Sequence, residues 1–260
     1  VAVSRLGAQV VFCSRVGDDA YGERLKKIYA ENGIDLRFVR TDKVGQTGLA
    51  VILVENDGSN RIIVYPGANM RISEGDVESA FTCCPDAVMA QLESGEDVAV
   101  YASQLAADEA IPFILDGGGA RSDFRLNKLA KVDIFSPNEI ETALITGIRP
   151  DTLDDCLRAS MAICSQTDVR YVVLKLGARG CYVYDGKYCD LIAPFVVQAV
   201  DTTAAGDAFT AALATEFLRT GDITASARYA NAVGALTVTT AGAIHSLPTR
   251  ETVRRFLEQI

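Results

Sequence analysis

The chain has 260 residues, of which 49% are hydrophobic, a length and composition typical of one large α/β domain. Its formal net charge is −9, and such an acidic surface argues against nucleic acid and anionic membranes as general partners. We expect neither a signal peptide nor a membrane span, because the sequence contains no apolar run of about 18 residues. Because the seven cysteines include no C-x-x-C pair, we interpret them as reduced thiols of a cytoplasmic protein.

Helical patterns and short apolar strands alternate along most of the chain. The first residues predict a helix that ends at Gly7 and starts before Val1, so we expect a segment ahead of Val1. Strands are then predicted at 9–14, 86–92, 112–116, 132–135 and 171–176, and helices at 20–32, 96–107, 139–146 and 153–165. This alternation predicts a three-layer α/β/α sandwich around a mostly parallel sheet, with residues 1–260 in a single domain.

Two segments interrupt the alternation and predict β-hairpins. Apolar, β-branched runs at 48–55 and 61–65 flank an Asp57-Gly58 turn, which is a strong hairpin signal. We predict this hairpin to be an antiparallel flap on the main sheet, within a small β lid at about 45–68. A second hairpin is predicted at 181–192. Helices are predicted after it at about 207–219, 224–240 and 249–259.

The segment at 201–213, Asp-Thr-Thr-Ala-Ala-Gly-Asp-Ala-Phe-Thr-Ala-Ala-Leu, carries the most chemical information. Small side chains at Ala204, Ala205 and Gly206 let backbone amides approach a ligand just before a predicted helix. Free N–H groups and the positive dipole at a helix start favour an anion there. Asp207 brings a carboxylate to the same place, which is unfavourable unless it takes up a proton during a reaction. Taken alone, Asp207 would also suit a helix cap.

Residues 201–209 resemble the C-terminal signature of the ribokinase-like (phosphofructokinase-B) carbohydrate kinases. Five further stretches resemble that family in the same order: Arg-Val-Gly-Asp-Asp-Ala-Tyr-Gly at 15–22, Gly-Ala-Asn at 67–69, Gln-Leu-Glu at 91–93, Pro-Asn-Glu-Ile-Glu at 137–141 and Lys-Leu-Gly-Ala-Arg-Gly at 175–180. The resemblance spans the chain, but the family's first strand, its sugar-binding Asp and its Gly-Gly-x-x-x-Asn motif are missing ahead of the stretch at 1–7.

The resemblance implies an ATP-dependent sugar kinase, with D-ribose to ribose 5-phosphate as the expected reaction. Asp207 is expected to be the base, with Ala204, Ala205 and Gly206 as the anion hole, and Glu93 is expected to bind the sugar hydroxyls. The expected nucleotide contacts are Asn138, Lys175, Gly177, Ala178, Arg179, Gly180 and Asn231. Mg²⁺ is expected near Asn138 and Glu141, partly through water, and an activating K⁺ near Asp201, Thr203, Thr237, Thr240, Gly242 and Ser246. The lid is expected to pair two subunits into a homodimer.

Several of these residues have simpler interpretations. Asn138 and Glu141, three residues apart, would suit an ordinary helix cap. Lys175 stands where ribokinases have threonine, so it either reaches a phosphate or the ribose or ends a strand in solvent. Glu93 would also suit the first turn of a helix, and His245 is expected to lie in a loop without a nucleophile partner.

Other functions fit the sequence less well. No P-loop and no G-x-G-x-x-G is present, which argues against a P-loop enzyme and a dinucleotide-dependent dehydrogenase. Fructose, 2-keto-3-deoxygluconate and nucleosides are alternative substrates. If the natural chain begins at Val1, a catalytically impaired regulator that binds sugar or nucleotide is the alternative from another functional class.

Overall fold

A computed structural model describes residues 1–54 and 60–259. Three sheets are present in this part of the chain. A parallel pair joins β1 (Ser14–Gly17) and β2 (Val39–Asp42), and an antiparallel hairpin joins β3 (Leu49–Val54) and β4 (Asn60–Tyr65). The central sheet contains β5 (Val88–Ala90), β6 (Phe113–Asp116), β7 (Lys131–Ser136), β8 (Asp168–Lys175), β9 (Cys181–Tyr184) and β10 (Cys189–Ile192), in the order β10-β9-β8-β7-β6-β5.

The helices are α1 (Ala2–Arg5), α2 (Ala20–Glu31), α3 (Glu74–Phe81), α4 (Glu96–Asp108), α5 (Glu139–Thr146), α6 (Leu153–Cys164), α7 (Ala205–Thr220), α8 (Ile223–Thr237), α9 (Ala243–Ser246) and α10 (Arg250–Glu258). Several begin at a capping side chain that the sequence supplies. Asp19 accepts a hydrogen bond from the Gly22 amide at the start of α2, and Ser73 and Thr152 form capping boxes at α3 and α6. Among the residues described, no helix is long and apolar enough to cross a membrane.

Helices cover both faces of the central sheet. Ile114 of β6 packs into one hydrophobic cluster with Phe209 of α7 and Val233 of α8. Its neighbours Phe113 and Leu115 pack into a second cluster, which contains residues of α3, α4 and α6. Because successive side chains of a strand point to opposite faces, β6 is buried from both sides. The predicted three-layer sandwich is therefore confirmed.

Strands β5 to β8 run parallel, so their carboxyl ends meet at one edge of the sheet. The loops that follow them carry residues 91–93, 116–119, 137–138 and 175–180 to this edge. Ligands of open α/β sheets gather at such an edge. It is called the carboxyl edge below.

Three predictions about local structure are wrong. The stretch 9–14 is not a strand: Val11 makes one isolated bridge to Asp35, and β1 starts only at Ser14, where β2 supplies a pairing partner. The first hairpin forms, but as a separate two-stranded sheet and not as a flap on the central sheet. Its predicted Asp57-Gly58 turn lies outside the described residues. His245 is exposed in the short helix α9, not in a loop.

Candidate active site

Helix α7 begins in the loop predicted to hold an anion. The N-cap residue, Ala204, has φ 62° and ψ 8°, a left-handed conformation that is unfavourable for a residue with a Cβ atom. No side chain caps the helix. Such strain costs roughly 1–3 kcal/mol and is concentrated at ligand sites. In the described part of the chain, the amides of Gly206 and Asp207 have no hydrogen-bond acceptor. The loop therefore presents free N–H groups at the positive end of the helix dipole.

Asp207 is the third residue of α7, and the interpretation of it as a helix cap is wrong. Its carboxylate accepts a hydrogen bond from Nε2 of Gln91 at 3.1 Å. Burial raises the pKa of the Asp207 carboxyl, and the nearby Asp116 carboxylate raises it further, while Lys175 and Gln91 oppose the rise. A carboxylate with a raised pKa beside an anion site is suited to accept a proton from a hydroxyl group.

Glu93 follows β5, and its carboxylate interacts with those of Asp207 and Asp116. Its pKa is raised by burial first and then by the charges of Asp207 and Asp116. It lies two residues before Gly95, which precedes α4, so the interpretation of Glu93 as a residue in the first turn of a helix is wrong. Gly119, at φ 82°, packs so tightly here that a Cβ atom would lie 2.5 Å from the Glu93 backbone nitrogen.

Lys175 ends β8 and is 8% exposed, so its interpretation as a strand end in solvent is wrong. Its Nζ lies 2.6 Å from Oδ2 of Asp116. Asp116 is not among the site residues predicted from the sequence. The sequence feature that could have identified it is a carboxylate at the end of an apolar strand, directly before three glycines.

Asn138 and Glu141 form a reciprocal cap at the start of α5. Oδ1 of Asn138 accepts from the amides of Ile140 and Glu141 at 2.9 Å, while the Glu141 carboxylate accepts from the Asn138 backbone and side chain at 2.7 Å. The interpretation as a helix cap is thus confirmed. Gly117 is required beside it, because a Cβ atom there would lie 2.6 Å from Oε2 of Glu141. Burial raises the pKa of Glu141, and Lys175 opposes this rise.

The residues predicted to contact a nucleotide lie on connected elements. Residues Gly177–Arg179 form a 3-10 turn, and a Cβ atom at Gly180 would lie 2.1 Å from the carbonyl oxygen of Ile192. Nδ2 of Asn231, in α8, donates to that same carbonyl at 3.1 Å. The turn, the end of β10 and α8 therefore meet at one place.

Arg179, in the 3-10 turn, makes hydrogen bonds to neighbouring segments of the chain. Its guanidinium donates to Oε1 of Glu139 and to the carbonyl oxygen of Pro150, each at 2.7 Å. These bonds tie the 3-10 turn to the start of α5 and to the chain before α6. The predicted role of Ala178 and its neighbours in nucleotide binding stays a prediction.

Asp201 joins the two loops predicted to hold a monovalent cation. Its Oδ1 accepts from the Thr203 amide at 2.9 Å and its Oδ2 from the Gly242 amide at 2.8 Å. These bonds, led by those to Thr203, lower the pKa of Asp201. Thr237, Thr240 and Ser246 belong to the second loop and its flanks, where they bond to their own neighbours: Oγ1 of Thr237 to the Val233 carbonyl, the Thr240 amide to the Thr237 carbonyl and Oγ of Ser246 to the Ala243 carbonyl.

Known proteins resemble this chain in sequence and in fold. The model of the pfkB family carbohydrate kinases matches residues 1–250. The ribokinase of Haemophilus influenzae is 34% identical over 99% of this chain and 84% of its own length, and the deoxyribokinase of Salmonella typhi is 27% identical with the same coverage. The solved structure of Arabidopsis thaliana ribokinase complexed with ribose and ATP is 31% identical, with a TM-score of 0.89 over 99% of this chain and 84% of that one. The predicted ribokinase-like fold is confirmed, and the chain belongs to the pfkB family of carbohydrate kinases.

Proposed function

We propose that this carbohydrate kinase transfers the γ-phosphoryl group of ATP to D-ribose and forms ribose 5-phosphate. The observation that carries the proposal is Asp207, a carboxylate of raised pKa in the same helical turn as the free amides of the anion loop. Asp207 accepts the proton of the attacking sugar hydroxyl. The hydroxyl oxygen bonds to the γ-phosphorus while the bond from that phosphorus to the ADP oxygen breaks. The amides of Gly206 and Asp207 stabilise the charge that develops on the transferred group.

The choice of ribose is supported by the likeness to a ribokinase at 34% identity and to a ribokinase structure complexed with ribose and ATP. In this proposal Glu93 accepts hydrogen bonds from sugar hydroxyls next to Asp207. The likeness to a deoxyribokinase favours deoxyribose as a second candidate substrate.

The residues proposed for Mg²⁺ fit an indirect role. Both oxygens of Glu141 already accept hydrogen bonds from Asn138, so a hydrated ion contacted through water fits better than a direct ligand. Among the described residues, no group of three or more His, Cys, Asp or Glu side chains is arranged to hold a metal ion. When bound with the nucleotide, Mg²⁺ would neutralise charge on the phosphates.

The residues proposed for K⁺ also fit that ion. They offer a carboxylate, hydroxyls and backbone carbonyls, and hard cations prefer oxygen ligands. Asp201 holds the loop that leads into α7 against the Thr237–Ser246 loop. A bound cation would neutralise Asp201 and fix the geometry of the anion loop.

We extend the proposal to a homodimer that forms through the β3–β4 hairpin. The register pairs Leu49 with Tyr65 and Val51 with Ile63, so these side chains lie on one face, and all four are exposed. A contiguous apolar face of this kind favours burial against a second copy. The proposed location is the cytoplasm, because all seven cysteines are unpaired, as a reducing compartment requires.

A coupled ADP-release assay tests the substrate. D-ribose, 2-deoxyribose, fructose, 2-keto-3-deoxygluconate and a nucleoside are titrated at saturating MgATP, and the product is identified by mass. We expect the highest kcat/KM with D-ribose and a product of the mass of ribose phosphate. A higher kcat/KM for another substrate would reassign the specificity. Sugar binding without ADP release would support the regulator instead.

A further inference from the structure

Lys175 is a buried charged residue at the carboxyl edge. The proposed mechanism gives it no role. Its Nζ contacts Oδ2 of Asp116 at 2.6 Å and Oγ1 of Thr210 at 3.5 Å, and Thr210 itself donates to the same oxygen of Asp116. Each of the three side chains is at least nine-tenths buried. Three elements, β8, the end of β6 and α7, thus meet in one closed set of polar contacts.

This set lies directly under the anion loop. A Cβ atom added to Gly206 would lie 3.6 Å from Nζ of Lys175. Thr210 is four residues after Gly206 and three after Asp207, so it lies on the face of α7 next to both. The ammonium therefore lies at the backbone of the first turn, where the free amides are.

Both members of the pair act on Asp207, with opposite signs. Asp116 raises the pKa of the Asp207 carboxyl and Lys175 lowers it. The other groups that act on Asp207 are the side-chain amide of Gln91 and the carboxylate of Glu93. Glu141 faces Lys175 from the start of α5. Without the lysine, the carboxylates of Asp116 and Glu93 would act on Asp207 without this opposing charge.

Stability alone is a weak reason for such a pair. Burying two charges carries a large desolvation penalty, and apolar replacements of buried ion pairs are often neutral or stabilising. Removing one member, in contrast, leaves an uncompensated charge beside Asp207.

We propose that Lys175 and Asp116, clamped by Thr210, form a charge-compensated pair that positions the first turn of α7 and balances the charge beside the base, Asp207. Lys175 is then a positioning residue that acts through Asp207. This inference rests on the proposed function, since it needs Asp207 to accept the proton.

The test compares Lys175→Met, Asp116→Asn and the double variant with the parent. For each, kcat/KM for D-ribose is measured against pH at saturating MgATP, together with thermal unfolding. Loss of Lys175 should move the acid limb to higher pH by about one unit, and loss of Asp116 should move it to lower pH by a similar amount. The double variant should return towards the parent. The titration of ATP is common to all variants and cancels in the comparison.

A matched control is the partly buried pair of Arg15 and Asp76, at 2.7 Å. Arg15→Met with Asp76→Asn should lower stability and leave the acid limb in place. If both single variants of the Lys175–Asp116 pair lose stability with an unmoved limb, the pair is structural and the proposal is overturned. If Lys175→Met does not fold, the comparison of Asp116→Asn with the double variant gives the same decision. ADP release by the parent is measured first, so failure of the proposed function is seen separately.

Discussion

The carboxyl edge of the central sheet and the β3–β4 hairpin break the usual rule of burial in opposite directions. At the edge, Lys175 and Asp116 are 8% and 6% exposed, although charged residues are rarely buried. On the hairpin, Ile63 and Leu53 are 61% and 49% exposed, although they are strongly apolar. At the edge the two buried charges offset each other within the chain, whereas the apolar side chains of the hairpin stay exposed. The difference is that the charged edge is compensated within one chain, while the apolar face of the hairpin is the surface for which we propose a second copy.

The largest effect is expected from Asp207→Asn. Removing a general base lowers turnover by roughly 10² to 10⁴, while ATP binding should stay close to that of the parent because the anion loop keeps its amides. Single-turnover ADP formation and nucleotide titration measure the two quantities. Turnover within about a factor of two of the parent would contradict the role of the edge as the reaction site.

The next largest effect is expected from Glu93→Gln. Loss of a charged hydrogen-bond acceptor of about 1.5–3 kcal/mol should raise KM for the sugar by roughly 10- to 150-fold and leave KM for ATP near the parent value. Gly119→Ala sharpens this test, because its Cβ atom would meet the Glu93 backbone and should raise the same KM without removing the carboxylate. An unchanged sugar KM in Glu93→Gln would remove Glu93 from the substrate site.

On the hairpin, Val51→Asp together with Ile63→Glu should weaken self-association. Like charges placed opposite each other on the apolar face should raise the dimer dissociation constant by about tenfold or more, since each 1.4 kcal/mol is a factor of ten. Sedimentation over a concentration series measures it. Met161→Asp, at an exposed apolar position on α6, is the matched control and should leave the association unchanged. Equal dissociation constants for the double variant and the control would count against the hairpin as the dimer surface.

The smallest effect is expected from exchanging potassium for sodium at fixed ionic strength. If a cation lies between Asp201 and the 237–246 loop, the rate should be severalfold higher in potassium, because the site lies beside the anion loop and not within it. Asp201→Asn should reduce this difference. Equal rates in the two salts would leave Asp201 as a link between loops only.

Local patterns predicted most elements well, because they follow from periodicity and capping. The helix predicted at 139–146 forms over those residues, and Asp19 and Thr152 begin helices as capping residues do. The strand predicted at 9–14 failed since pairing depends on a partner strand, and β2 meets the chain only from Ser14. The prediction that the first hairpin joins the central sheet was wrong for the same reason, because β3 and β4 pair with each other and not with a strand of that sheet.

Sequence patterns were enough to predict the fold class and to place Asp207 behind small residues at the start of a helix, because strand–helix alternation and helix-start signals act over short distances. The ion pair of Lys175 and Asp116, in contrast, could be seen only in the tertiary structure. They lie 59 residues apart and meet because parallel strands bring their carboxyl ends to one edge. The charge around Asp207 depends on that meeting, since electrostatic interaction depends on distance and burial, neither of which the order of residues specifies.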